Sequence, residues 1–117
     1  MERSITSVLS EFLDIGGVKS AAVVGRDGFV IDSVTTEKVD MEALGAMVAT
    51  AIGTSEALGN EFDFGRMSQY LIEFEHGKVV IAAVGNDILA IFTDASAVIG
   101  GVRYLVKKKI PSLTEVM

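Results

Sequence analysis

The chain has 117 residues, 50% of them hydrophobic, and its 16 acidic against 10 basic side chains leave a net charge of −6. That balance excludes a domain that wraps a nucleic-acid backbone, which needs the opposite sign. With no cysteine and one histidine, His76, zinc fingers, iron–sulfur clusters, thiol catalysis and any Ser-His or Cys-His pair built around another histidine are excluded as well. The length suits a single domain over 1–117. The start, Met1-Glu2-Arg3-Ser4, lacks the basic and apolar stretches of a secretory signal. The longest apolar runs, Val79 to Val84 and Ile88 to Phe92, fall far short of the roughly 20 residues that span a bilayer. A cytoplasmic chain without stable membrane insertion is the expectation.

Taken in chain order, the first pattern is helical: Ile5, Val8, Leu9, Phe12 and Leu13 form one apolar stripe, with Ser4 as its cap and Gly16-Gly17 as its end. Val18 to Gly25 and Phe29 to Val34 then read as strands joined through Arg26-Asp27-Gly28, a strong hairpin signal. A long helix is expected from an Asp40 cap to about Phe62. After it comes a three-strand meander, Met67 to Phe74, Lys78 to Val84 and Ile88 to Thr93, turning at Glu75-His76-Gly77 and Gly85-Asn86-Asp87. Asp94 is placed as the cap of a last helix with Val98, Val102, Leu105 and Val106 on one side, which Pro111 should keep from continuing far. Gly100-Gly101 should let that helix approach the sheet closely. Ala21 to Val24 and Val79 to Val84 do not alternate with polar residues, so both faces of the sheet should be covered. The fold class is α+β, in the order αββαβββα, with an antiparallel sheet between helices.

The middle helix has no solvated face. Leu44, Val48, Ala51, Ile52, Ser55, Leu58 and Phe62, flanked by Met41 and Met47, are expected to face the sheet. Beside them Ala43, Ala46, Thr50, Gly53, Thr54 and Ala57 make a second stripe of small residues, and no Lys or Arg occurs from Val39 to Gly65. Such a stripe lets another helix come close, so it reads as a self-pairing seam. Gly45, Gly53 and Gly59 strengthen this, since each costs up to about 1 kcal/mol relative to Ala inside a helix, which points to a packing or flexibility role.

The element order, the segment Gly25-Arg26-Asp27-Gly28-Phe29-Val30-Ile31, the alanine-rich middle helix, the meander Gln69 to Phe74 through Leu89 to Phe92, and the ending Val98-Ile99-Gly100-Gly101-Val102-Arg103 together resemble the Roadblock / dynein light-chain family, most closely its short prokaryotic, MglB-type members. The resemblance spans essentially the whole chain. It implies a five-stranded sheet in order 2-1-5-4-3 and a homodimer in which third strands and middle helices pair across a two-fold axis. It also implies a non-catalytic role as platform or regulator for a Ras-like small GTPase. On that reading the dimer interface takes Ala43, Ala46, Thr50, Thr54 and Ala57 from the helix and Tyr70 and Ile72 from the edge strand. The partner would meet Glu42, Ala49, Gly53, Glu56 and Asn60, on the side away from the sheet.

Little else carries chemistry. There is no GxxxxGK[ST] and no GxGxxG opening a helix, so no phosphate loop. His76 in a hairpin turn has no second ligand in view, and the carboxylates sit mostly at turns and helix ends, so neither a metal site nor a paired acid–base site nor a cofactor is expected. Lys107-Lys108-Lys109 reads as cations favourable at a helix C-terminus. The alternative function is a PAS- or GAF-like small-ligand sensor, which shares the sheet order but should line a pocket with convergent polar groups.

Overall fold

Ser4 opens the first helix through a reciprocal cap: its Oγ accepts from Ser7 N at 3.1 Å, and Ser7 Oγ accepts from Ser4 N at 2.9 Å. The computed structural model describes residues 3–117; Met1 and Glu2, part of the start read above, lie outside the described residues. In helix α1 (Ile5–Phe12), Val8, Leu9 and Phe12 are fully buried. Gly17, at φ +89°, then turns the chain into the sheet; a Cβ there would lie 2.8 Å from Ala97 N.

Strands β1 (Val18–Val24), β2 (Val30–Thr35), β3 (Gln69–Glu73), β4 (Gly77–Val84) and β5 (Asp87–Asp94) form one antiparallel sheet in the order 2-1-5-4-3. Helix α2 (Met41–Glu61) lies on one face, and α1 with helix α3 (Ile99–Val116) on the other. Ala21, Val23, Val80, Ala82, Leu89 and Ile91 point to α1 and α3, while Ala22, Val24, Ile81, Ile88 and Ala90 point to α2. Successive strand residues thus enter two separate apolar layers, which is why the central strands do not alternate with polar ones.

Three expectations about the last helix are corrected. Asp94 does not cap it: its Oδ1 accepts from Ser96 N at 2.8 Å and from Ser96 Oγ, and the helix starts after Val98, which makes no side-chain cap. Pro111 does not stop it either; α3 continues to Val116. Leu113 explains this, because it is fully buried against the core. Burying a leucine is worth about 1.5–3 kcal/mol, comparable to the roughly 3 kcal/mol that a proline costs inside a helix. Gly100 and Gly101 are exposed, and a Cβ on either would meet nothing within 4 Å, so they do not bring helix and sheet together.

The lysine run therefore sits inside α3 and not at its end, which removes the helix-terminus explanation for it. Its members diverge. Lys109 reaches back to α1, where it and Arg3 share the carboxylate of Glu11, both at 3.2 Å, while Lys107 and Lys108 stay exposed.

Candidate functional site

Helix α2 is seated by glycine. The Asp27-Gly28 turn closes with Gly25 N donating to Phe29 O at 2.8 Å and Asp27 Oδ1 accepting from Phe29 N at 3.1 Å. Gly45 of α2 rests directly on that turn: a Cβ at Gly45 would stand 2.5 Å from Gly28 O and 2.9 Å from Val30 Cγ2. Backbone against backbone at this distance sets the helix's rotation. Gly45, Val48 and Ile52 face the sheet and are buried.

The expected sheet-facing stripe is therefore too wide. Leu44 and Ala51 are half-buried, but Met47, Leu58 and Phe62 are exposed, at 64%, 63% and 63%. At 100° per residue these three fall on one flank of the helix, well away from the line through Gly45, Val48 and Ile52. Phe64 beyond the helix end stacks on Phe62 with ring centroids 5.2 Å apart and is itself 75% exposed. The sequence carried a signal for this. The seat under the hairpin needs a residue without a side chain, and Gly45 is three and seven positions before Val48 and Ile52.

Diametrically opposite the sheet lie Ala43, Ala46, Thr50, Thr54 and Ala57; all are exposed except Ala43, which is half-buried. The threonine hydroxyls are turned inward on the helix, Thr50 Oγ1 donating to Ala46 O and Thr54 Oγ1 to Thr50 O, both at 2.9 Å, so the outer surface they present is largely methyl. Gly53 has open space where a Cβ would stand.

The second group divides. Glu42, Gly53 and Asn60 are exposed, but Ala49 is half-buried and packs on the inner layer. Glu56 is half-buried and ion-paired with Arg26, whose Nε also donates to Asn86 O at 2.9 Å. Arg26 thus ties the β1–β2 turn, α2 and the β4–β5 turn together, a role sequence reading did not assign. Ala49 and Glu56 accordingly sit toward the hairpin and not on the side away from the sheet.

Strand β3 is an edge, with β4 on one side only. Tyr70 and Ile72 stand opposite Ile81 and Val79, on the α2 face of the sheet, with Ile72 half-buried and Tyr70 exposed. Helix α2 comes closest to β1 and β2, and its Val48 and Ile52 share an apolar layer with Ile88 and Ala90 of β5 and Ile81 of β4. The surface is therefore a stepped one: the small-residue crest of α2, the exposed Met47, Leu58 and Phe62 on one flank, and an edge strand with unpaired backbone groups.

The chemistry elsewhere is quiet. Among the described residues every buried side-chain nitrogen and oxygen has a hydrogen-bond partner, and no three His, Cys, Asp or Glu side chains converge as a metal site. Among them, too, no helix is long and apolar enough to cross a membrane. His76 is exposed beside Glu75. The Asp94 carboxyl is held below the ordinary value by hydrogen bonds from the Ser96 side chain and backbone, with Lys19 adding to the effect.

Comparison with known proteins agrees with this architecture. The family model for the Roadblock/LC7 domain matches residues 5–93. The chain belongs to the Roadblock/LC7 family. Among curated relatives, the uncharacterized protein MJ0714 of Methanocaldococcus jannaschii is 39% identical over 108 residues, covering 92% of each chain. Among solved structures, Myxococcus xanthus MglB superposes with a TM-score of 0.89 at 20% identity, covering 96% of this chain and 93% of that one. An MglB described with a tetrameric arrangement gives 0.88 at 21% identity, covering 96% and 86%. This Roadblock/LC7 chain thus has the fold of MglB, with the α2 crest and the β3 edge on its surface.

Proposed function

We propose that this Roadblock/LC7 chain is a non-catalytic homodimeric regulator or scaffold that binds a Ras-like small GTPase and modulates its GTP hydrolysis or localisation. The observation that carries the reading is the outer face of α2, where Ala46, Thr50, Thr54 and Ala57 are exposed without a charge among them, beside the open edge of β3. A free sheet edge next to exposed Met47, Leu58 and Phe62 is a liability in a monomer and an interface in a dimer. A two-fold pairing would make each crest its own partner. Family membership and the tetrameric arrangement of an MglB with the same fold support self-association.

In such a dimer the two α2 helices form a platform rimmed by Glu42, Gly53 and Asn60, with Ala49 and Glu56 at its hairpin side. Few long side chains stand there, so a partner's switch segments can come close to the helix backbone. The GTP form should be preferred, because the γ-phosphate orders those segments. One GTPase on a two-fold axis uses two copies of this chain.

The test is calorimetric titration of a Ras-like GTPase from the same organism, loaded with a GTP analogue or GDP, into the protein and into Glu42→Lys. Tighter binding of the GTP-analogue form, at one GTPase per two chains and weakened by Glu42→Lys, supports the platform. Equal affinity for both nucleotide states would reduce it to a passive scaffold, and no binding of either would end the reading. Glu56→Lys is a poorer probe, since it also breaks the pair with Arg26.

A further inference from the structure

Half of the chain's ten cations are held by partners within the fold. Arg3 and Lys109 go to Glu11, Lys19 to Asp94, Arg26 to Glu56, and Lys78 to the carbonyls of Ala95 and Ala97. Arg66, Arg103 and Lys107 pair with no carboxylate among the described residues, and all three line one groove of about 780 Å³ between α3 and the β3–β4 edge. Among the described residues no acidic side chain lines it. In a chain of net charge −6, three unpaired cations gathered without a counter-charge repel one another, and an entering anion relieves that repulsion.

The groove has more structure than a charged patch. Gly100, Arg103, Tyr104 and Lys107 stand at i, i+3, i+4 and i+7, so α3 offers them along one wall. Arg103 Nε donates to Gln69 Oε1 at 3.0 Å; this fixes the guanidinium plane and leaves both terminal nitrogens without a partner among the described residues. A planar fork held in that way matches two phosphate oxygens. Tyr104 lies in the same wall and is 68% exposed, offering an aromatic ring next to the cations. Gly100 leaves the far end of the wall clear, and from there to Ile110 the helix advances about 15 Å. Ser68 adds a hydroxyl from the opposite wall.

We propose that this groove binds a nucleoside polyphosphate, with the phosphates on Arg66, Arg103 and Lys107 and the base laid on Tyr104. A concave site with an aromatic ring fits such a ligand better than it fits a flat membrane surface. The length, about that of ten helical residues, is short for an extended acidic peptide. The sequence holds no phosphate loop because this site uses side chains from α3 and from the segment leading into β3, more than thirty positions apart, in place of backbone amides. The proposal stands apart from the GTPase reading, since no second protein enters its test.

Magnesium-free ATP and inorganic tripolyphosphate are titrated calorimetrically into the full chain at low salt. ATP should saturate at one per chain, and tripolyphosphate should bind about tenfold more weakly for want of a stacked base. Tyr104→Ala should bring ATP down to the level of tripolyphosphate. Arg103→Gln combined with Lys107→Gln should weaken both by at least about tenfold, whereas Lys38→Gln, removing a cation elsewhere, should change neither. Unaltered melting temperatures establish that the surface variants are folded. Failure to saturate at millimolar ATP, or equal losses in Lys38→Gln and the double variant, would overturn the site. Equal affinity for ATP and tripolyphosphate would overturn the nucleoside assignment. Binding of poly-glutamate or of phosphatidylserine vesicles where ATP does not bind would replace the ligand by an acidic peptide or a membrane and so overturn it too.

Discussion

At the scale of single residues, the glycines of α2 separate into two kinds that a sequence writes with the same letter. Gly45 is pressed against Gly28 O, where an added Cβ would stand at 2.5 Å. Gly53 faces open space. Gly45→Ala should therefore destabilise the fold by about 1–3 kcal/mol despite its better helix propensity. Gly53→Ala should stabilise it by up to about 1 kcal/mol. Urea unfolding of the two variants checks this, and the same sign for both would contradict the seat described for α2. Asp94 gives a residue-scale pH dependence. Its native carboxyl is held low by Ser96 and then Lys19, so ionised Asp94 stabilises the fold above the ordinary carboxylate range. That contribution is lost as pH falls through the lowered native value. The stability gap between the natural chain and Asp94→Ala should be widest near neutrality and should close in acid, measured by thermal melts across that range.

At the scale of elements, much was legible because local chemistry and apolar period agree. The Ser4 cap, the Asp27-Gly28 hairpin and the doubly apolar strands point to one order of elements, and the sheet order expected from the family resemblance is the one observed. The last helix was not legible, because tertiary burial there overrides local rules. Asp94 has the chemistry of a cap but spends it on Ser96, and Pro111 has the chemistry of a stop but is carried along by Leu113. Burial of Leu113 offsets the proline's cost without removing it. Pro111→Ala should therefore raise stability by about 1–3 kcal/mol, since it restores one backbone donor and relieves the ring's contact with the preceding turn. A denaturation midpoint unchanged or lowered in this variant would mean that the proline is better accommodated than its position in α3 implies.

At the scale of the whole molecule, the two faces of the sheet differ in how completely they are covered. On the α1–α3 face, two helices bury a continuous layer from Val8 to Leu113, joined at the rim by Glu11, Arg3 and Lys109. On the other face a single helix covers the sheet, closest to β1 and β2, leaving Tyr70 of the edge strand and the flank of Met47, Leu58 and Phe62 exposed. The expected interface residues were readable as a stripe of small side chains; the exposed flank was not, because apolar residues near a core stripe look like part of it until Gly45 fixes the rotation. This asymmetry leads to the prediction of a dimer formed on the α2 face. Sedimentation at micromolar concentration should give about twice the chain's 12.4 kDa. Thr50→Arg or Ala46→Glu, each placing a charge at an exposed position opposite the sheet, should shift the protein toward monomer with little change in secondary structure by circular dichroism. Gly53→Ala separates fold from assembly, since a stabilised but more weakly associating variant places that glycine against a neighbouring helix. A monomer at all accessible concentrations would leave the exposed crest and edge without a partner of their own kind, and with them the two-fold platform on which the GTPase reading rests.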